Sequence, residues 1–413
     1  MPQTSTARGV FTNALTLAAA LAAAGGMASA AAVEVSDETI DDAHDTEEAT
    51  VTVTRVVSGL EHGWAMDWLP DGRMLVTERP GGMYVVDDDS VTELEGLPEI
   101  FSDEDQLTAP EGGSQSGLLD VRVHPQYDDN GWIYLTYSSP GDTDGVATDD
   151  EYATGTVLAR ARLNDDGDAL EDLETVYSQA PRHVPGRHYG SRILFAGDGT
   201  VLFSIGDRGL RAPSQDLTDP SGSIIRVNEA GGVPDDNPYV GAAPGNLRPE
   251  IFSFGHRNNQ GLVMHPETGE IWATDHGPSG GDLLYQVEAG NNYGWPQVAF
   301  GTEYSTGEQV GIGESAPGVT EPTHVWEESM APSGLAFYMD GAVSEWDGNL
   351  FAGSLVREQL HRLELDGDSV VKDEVILDET VGRIRDVRQG PDGMLYVLTD
   401  EADAGVYRIE PAD

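Results

Sequence analysis

From Val51 onward, short runs of β-branched, aromatic and aliphatic residues alternate with turn residues, and the 3.6-residue period of an amphipathic helix is hard to find. The pattern predicts an all-β protein. One phrase recurs: an apolar strand, a turn ending in Gly, and a second apolar strand that closes in a polar or Gly-rich loop. It reads "WAMDWLPDGRMLVTERPGG" at 64–82, "GLLDVRVHPQYDDNGWIYLTYSS" at 117–139 and "SRILFAGDGTVLFSIGDRG" at 191–209. It returns as "GLVMHPETGEIWATDHGPSGG" at 261–281, "SGLAFYMDGAVSEWDGNLFAGSL" at 333–355 and "IRDVRQGPDGMLYVLTDEADAG" at 384–405. The turn glycines Gly72, Gly131, Gly199, Gly269, Gly348 and Gly393 lie 45 to 79 residues apart, room for four short strands and variable loops per unit. Radial repetition of such units closes a chain without long exposed edges, so six copies predict a six-bladed β-propeller of four-stranded antiparallel blades. The competing architecture, a β-sandwich followed by a small second domain, would need a linker, and no Pro/Ser/Gly-rich stretch splits the repeats.

The register of the repeat places candidate chemistry. Equivalent positions in successive blades lie at equivalent heights, so the residues just before each first strand line one end of the channel. Those positions hold His62, Gln115, His188, Arg257 with Asn258, Ser333, and Arg383 with Arg385. The loops after each second strand approach the same end with "ERPGG", "GDRG", "DHGPSGG" and "GSLVRE", rich in glycine that permits close approach to a ligand. Six segments thus converge on a cationic, imidazole-bearing mouth suited to a small, rigid, multiply anionic ligand.

Composition makes that mouth more telling. The 413 residues carry 73 acidic groups against 22 basic ones, a formal charge of −51, and Lys372 is the sole lysine. The acids are spread through patterned segments and belong to a folded surface. Concentrated salt, which shortens the screening length to about 3 Å at 1 M, relieves the self-repulsion of such a surface, and the composition therefore reads as halophilic. Nucleic acid and anionic membranes are excluded as partners. Without cysteine there is no disulfide, thiolate nucleophile or thiolate metal site, so any metal must be held by oxygen or imidazole. Arg8, the Ala-rich run from Ala14 to Ala24 and "ASA" at 28–30 read as a removable export signal over 1–30, too short and alanine-rich for stable membrane insertion. Residues 31–50 read as an acidic linker and 51–413 as the propeller. The expected location is extracellular or at the cell surface.

At "SQSGLLDVRVHP", "HYGSRILF…GDRG", "FGHRNNQGL", "DHGPSGGD…NNYGWP" and "RIRDVRQGPDGMLYVLTD" the chain closely resembles the soluble quinoprotein glucose and aldose sugar dehydrogenases, the glucose/sorbosone dehydrogenase family. The resemblance spans nearly all of 51–413. It implies oxidation of aldoses at C1 to lactones by hydride transfer to calcium-bound pyrroloquinoline quinone, with electrons passed to an external acceptor. It further implies that His188 is the general base, that Asp207 orients it, and that Arg257 sits where negative charge develops on the quinone. Asn258 lies beside the cofactor, Arg383 and Arg385 bind its carboxylates, and Gln115 lies near the substrate. The calcium is implied to rest on the main-chain carbonyls of Gly277 and Pro278, which no side-chain pattern reveals.

Two departures bear on this. Glucose-specific members carry a lysine in the "GSL" loop, where this chain has Val356 and then Arg357; either Arg357 substitutes or the cofactor is held by fewer charges, which points to the broader aldose branch. Leu283 stands where relatives usually have glutamate, leaving Asp282 as the candidate ligand of a second, structural calcium. Arg192 and Arg208 read as structural ion-pair partners, Trp295 and Trp346 as blade packing, and His62, His276 and Trp326 as candidate pocket wall. Two other function classes fit a propeller: a metal-dependent lactonase-type hydrolase and a non-catalytic sugar- or protein-binding module. Lactonase propellers hold their metal on Glu, Asn and Asp side chains, whereas this mouth is dominated by Arg, His and Gln.

Overall fold

In the computed structural model, which describes residues 32–102, 115–141, 153–184 and 186–412, each copy of the repeat is an antiparallel hairpin at the start of its own sheet. The chain begins with β1 (Glu34–Asp45) and β2 (Thr50–Leu60). Blade one is β3 (Gly63–Trp68), β4 (Met74–Glu78), β5 (Met83–Val86) and β6 (Val91–Glu93). Blade two is β7 (Leu118–Val123), β8 (Trp132–Gly141), β9 (Ala153–Leu163) and β10 (Leu170–Ser178). Blade three follows as β11 (Ile193–Phe195), β12 (Thr200–Ile205), β13 (Ser223–Asn228) and β14 (Ile251–Phe254). Blade four is β15 (Asn259–Met264), β16 (Ile271–Asp275), β17 (Asp282–Val287) and β18 (His324–Trp326). Blade five is β19 (Pro332–Tyr338), β20 (Asn349–Ser354), β21 (Gln359–Asp366) and β22 (Ser369–Asp378). Blade six takes β23 (Ile384–Gln389), β24 (Leu395–Thr399) and β25 (Ala404–Pro411) from the C-terminal end, and β2 supplies its fourth strand. The six turn glycines all have positive φ, between 68° and 94°, a region where a side chain is strained, which is why the repeat keeps glycine there.

First strands of neighbouring blades touch around a closed ring, and apolar clusters fill all six gaps between adjacent blades. Leu75, Ile133 and Leu135, for example, join blades one and two. Pairing β2, the strand just before blade one, to β25 closes the ring, which leaves no open gap between first and last blades. No described helix is long and apolar enough to cross a membrane.

One expectation needs correction. Much of the stretch read as an acidic linker is β1, a fifth strand paired antiparallel to β2 outside blade six. Its sequence, "EVSDETIDDAHD", lacks the alternation that signals a half-buried strand because it is an outer edge: its side chains are mostly exposed and its register is interrupted three times. Backbone pairing, not apolar burial, holds it, and its acids discourage further edge-to-edge pairing. The expected export signal, residues 1–30, lies outside the described residues.

The innermost strands carry a buried belt of charge. Arg192 Nη1 lies 2.8 Å from Asp386 and 3.3 Å from Asp120, while Arg388 Nη2 lies 2.9 Å from Asp120. Burial pushes the Asp386 carboxyl up to about 7 against the pull of Arg192. Arg192 also donates to the carbonyls of Gln260 at 2.8 Å and Arg385 at 3.1 Å, so the belt supports the strands that form the floor of the site. Its role as an ion-pair partner is thus visible directly.

Candidate functional site

A cavity of about 490 Å³ opens at the end of the channel reached by the loops before the first strands. His62, Gln115, Asn258, His276, Arg383 and Arg385 line it, together with Arg79, Gln260 and Asp400. The repeat register therefore brings blades one, two, four and six to one wall as expected. His188, from blade three, sits between the lining residues Gln115 and Tyr189, and its backbone N–H donates to Gln115 Oε1 at 2.8 Å. Ser333 does not reach the cavity; it is buried and its hydroxyl donates to the Ile384 carbonyl at 2.6 Å.

His188 Nδ1 lies 2.6 Å from Asp207 Oδ1. The contact depends on Gly206: a Cβ there would stand 2.2 Å from the His188 carbonyl oxygen, so only glycine lets the loop after β12 close onto the loop before β11. Asp207 is fully buried, accepts the Gly209 N–H at 2.6 Å on the same oxygen, and takes the Trp295 indole N–H on Oδ2 at 2.7 Å. Burial pushes its carboxyl up, but His188, Arg257 and the indole N–H more than offset that and hold it below the usual carboxylate range. Burial and the nearby Arg257 push His188 below its ordinary value, against Asp207. The result is an imidazole that is neutral at neutral pH, with Nδ1–H tied to carboxylate and Nε2 free to accept a proton. Trp295, expected as blade packing, instead packs against Ala299 and Val310 within the long loop between β17 and β18, holds Asp207, and lies with its ring centroid 5.3 Å from the Arg257 guanidinium. Sequence spacing gave no sign of the second role, since residue 295 is far along the chain from 207.

Arg257 is buried and reaches the His276 carbonyl and Tyr304 hydroxyl, both at 3.4 Å, and among the described residues no carboxylate pairs with its guanidinium. Its backbone N–H and that of Asn258 both donate to Asp275, at 2.9 and 2.6 Å, which fixes the turn before β15. Asn258 Oδ1 accepts the Gly190 N–H at 3.1 Å, linking blades three and four under the cavity. His276 Nε2 lies 2.8 Å from the Pro332 carbonyl, and burial holds its imidazole well below the ordinary value, so it is neutral.

The sequence missed a second cluster. His62 Nδ1 lies 2.8 Å from Asp400 Oδ1, Arg385 Nε lies 3.1 Å from Asp400 Oδ2, and Arg79 Nη2 is 3.6 Å from the same carboxyl group. Arg385 Nη1 donates to Gln260 at 2.8 Å. Burial lowers the Arg385 pKa to about 10, and the arginines with His62 outweigh burial to hold Asp400 well below the carboxylate range. Arg383 Nη1 donates to the Leu355 carbonyl at 2.9 Å. Asp400 lies in "LTDEADAG", which the repeat itself marks as a loop after a second strand; that was the available signal.

Arg357 is not brought to the cavity. Its guanidinium pairs with Glu328 and donates to the Ser329 carbonyl at 3.2 Å, while Val356 lines the wall in its place. Arg208 is buried, stacked 3.5 Å over Tyr189 and bonded to Thr154 at 2.9 Å. Trp326 packs between blades four and five, its N–H on Asp373 at 2.8 Å, away from the cavity wall. Trp346 is buried between blades five and six, as blade packing requires.

The donor set fits both expected groups. Arg79, Arg383 and Arg385 face one carboxylate, Asp400, in a strongly acidic chain, an excess that suits a multiply anionic ligand. Gly277 and Pro278 are buried, and their carbonyl oxygens accept no hydrogen bond among the described residues. Buried carbonyls without donors suit an oxygen-coordinated cation. Asp282 takes the Gly277 N–H at 2.7 Å and the Met330 and Ala331 N–H groups at 2.8 Å, so both its oxygens brace the loop. Among the described residues no group of three His, Asp or Glu is arranged to hold a metal.

Fold and site together define a propeller protein with a His–Asp dyad beside a cation-lined ligand cavity. The chain belongs to the Glucose / Sorbosone dehydrogenase family, whose pattern matches residues 60–408. It is 37% identical over 357 residues to the aldose sugar dehydrogenase of Escherichia coli, covering 85% of this chain and 91% of that one. It is 28% identical over 423 residues to quinoprotein glucose dehydrogenase B of Acinetobacter calcoaceticus, covering 84% of each. The crystal structure of the soluble E. coli enzyme in its apo-form superposes with a TM-score of 0.80 at 36% identity, over 88% of this chain and 100% of that one.

Proposed function

We propose that the protein oxidises aldose sugars at C1 to lactones, using pyrroloquinoline quinone and calcium and passing electrons to an external acceptor. The observation that carries this is the His188–Asp207 pair, 2.6 Å apart, set beside an arginine-lined cavity in a chain of this family. Bound quinone would supply a hydride-accepting carbonyl, polarised by calcium as a Lewis acid. Arg383 and Arg385 would hold the cofactor carboxylates, Asn258 would flank it, and the Gly277 and Pro278 carbonyls would hold the cation. His188 Nε2 takes the C1 hydroxyl proton as the sugar's hydride departs. Asp207 keeps the productive tautomer and stabilises the imidazolium, and Arg257 presents N–H donors where negative charge develops. Gln115 holds the His188 backbone and closes the wall on the substrate side.

The acid-rich surface supports work in concentrated salt, and the N-terminal pattern supports export to the extracellular or cell-surface space. The test is reconstitution: purified protein in high salt, mixed with calcium and pyrroloquinoline quinone, assayed for aldose-dependent dye reduction. Saturable cofactor uptake with sugar-dependent turnover is expected. Absence of uptake would overturn the reading, and turnover unchanged in His188→Ala would overturn the assigned base.

A further inference from the structure

The cavity holds a second His–Asp pair built like the first. His62 precedes the first strand of blade one as His188 precedes that of blade three, and both adopt left-handed backbone, φ 53° and 54°. Non-glycine residues rarely adopt that conformation, and it is retained where surrounding structure enforces it. In each pair Nδ1 meets a buried aspartate at the exit of a second strand: Asp207 after β12 at 2.6 Å, Asp400 after β24 at 2.8 Å. His62 is fixed further by its backbone, whose N–H donates to the Glu401 carbonyl at 2.7 Å and whose carbonyl accepts the Arg79 N–H at 3.0 Å. Its Nε2 has no hydrogen-bond partner among the described residues, and the side chain lines the cavity.

We propose that His62 is a further ligand-binding residue, which takes up a proton when an anionic ligand binds and then donates Nε2–H to a ligand carboxylate beside Arg383 and Arg385. The charged and titratable groups around it are Asp400 and Glu401 after β24, Arg383 and Arg385 from blade six, and Arg79 and Glu78 at the end of β4. Asp400 is already shared with Arg385 and Arg79, so its negative charge is divided among three partners, His62 included. An incoming carboxylate changes that balance: it adds negative charge on the Nε2 side, while Asp400 still accepts from Nδ1, so the imidazolium is stabilised from both sides. By linkage, ligand affinity then falls as pH rises, by at most about tenfold in Kd per pH unit.

This inference rests on the quinone reading for the identity of the anion but not for its chemistry. The test is isothermal titration of the apoprotein, in calcium-containing buffers of different ionisation enthalpy at pH 7.5, with pyrroloquinoline quinone and with benzene-1,2,4-tricarboxylate. Wild type should take up a substantial fraction of one proton per ligand bound. His62→Gln, which keeps an N–H donor for Asp400, should bind about tenfold more weakly at pH 6 and take up almost none. Zero uptake by wild type overturns the proposal, as does equal uptake by a His62→Gln protein that still melts cooperatively. If the tricarboxylate binds with uptake and the quinone does not, His62 stands and the cofactor reading falls; if neither binds, both fall.

Discussion

The two His–Asp pairs share geometry and differ in what else their carboxylates touch. Asp207 is completed by neutral donors, the Trp295 indole and the Gly209 amide, so its charge remains available to the imidazole. Asp400 is completed by cations, Arg385 and Arg79, so its charge is divided among three partners, His62 included. The first arrangement suits a base that must become imidazolium during a reaction. The second suits a wall that holds arginines in position and answers to a ligand's charge. Residue type and spacing alone would rank the pairs as equals; the third and fourth partners separate them.

The largest expected effect follows from removing the base itself. His188→Ala should cut aldose-dependent turnover by about 10³-fold while leaving quinone binding within a few-fold, since general-base catalysis supplies about 10²–10⁴. Steady-state dye reduction and a binding titration on the same sample check it; comparable losses from His62→Ala would erase the contrast. Neutralising each aspartate sharpens it. Asp400→Asn leaves the buried Arg385 without its carboxylate and should cost about 3–5 kcal/mol in urea unfolding, the typical penalty for orphaning a buried charge. Because its carboxyl is held well below its usual range, the stability Asp400 contributes is present above about pH 3.9 and lost as pH falls below that. Asp207→Asn should lose less stability, about 1–3 kcal/mol, but more turnover, about 10²-fold, through a wrongly presented tautomer.

Much of the fold was legible because a propeller repeats its own physics. Six turn glycines need positive φ, and six strand–turn–strand phrases recur in one register, so the blades and the height of His62, Gln115, His188, Asn258, Arg383 and Arg385 follow from one pattern. The strand β1 was not legible, because an outer edge held by backbone pairing carries no alternation. The partners of the site residues were equally hidden. Trp295 reaches Asp207 across blades, Arg79 and Asp400 meet His62 from opposite ends of the chain, and Arg357 turns outward to Glu328 because an exposed arginine in an acidic surface finds a carboxylate close by. Such contacts are set by the angle between blades, which local sequence does not encode.

Smaller effects test how finely the first pair is tuned. Trp295→Phe keeps the ring against Ala299 but removes the N–H from Asp207 Oδ2, and a net hydrogen bond to a charged group is worth about 1.5–3 kcal/mol. Only part of that is felt in the transition state, so kcat should fall about tenfold with KM little changed; a rise in KM alone would assign Trp295 to the cavity wall instead. The pH profile carries the last and smallest signal. His188 must be neutral to accept a proton, and burial with Arg257 holds its pKa below the ordinary value of about 6.5, so kcat/KM should stay flat through neutrality and decline only as pH falls below that value. Asp207→Asn removes the one partner that raises the His188 pKa, so the residual activity should hold to still lower pH. A limb that moved upward instead would mean that the titrating group is not His188, and the distinction between the two pairs would have to be drawn again from His62.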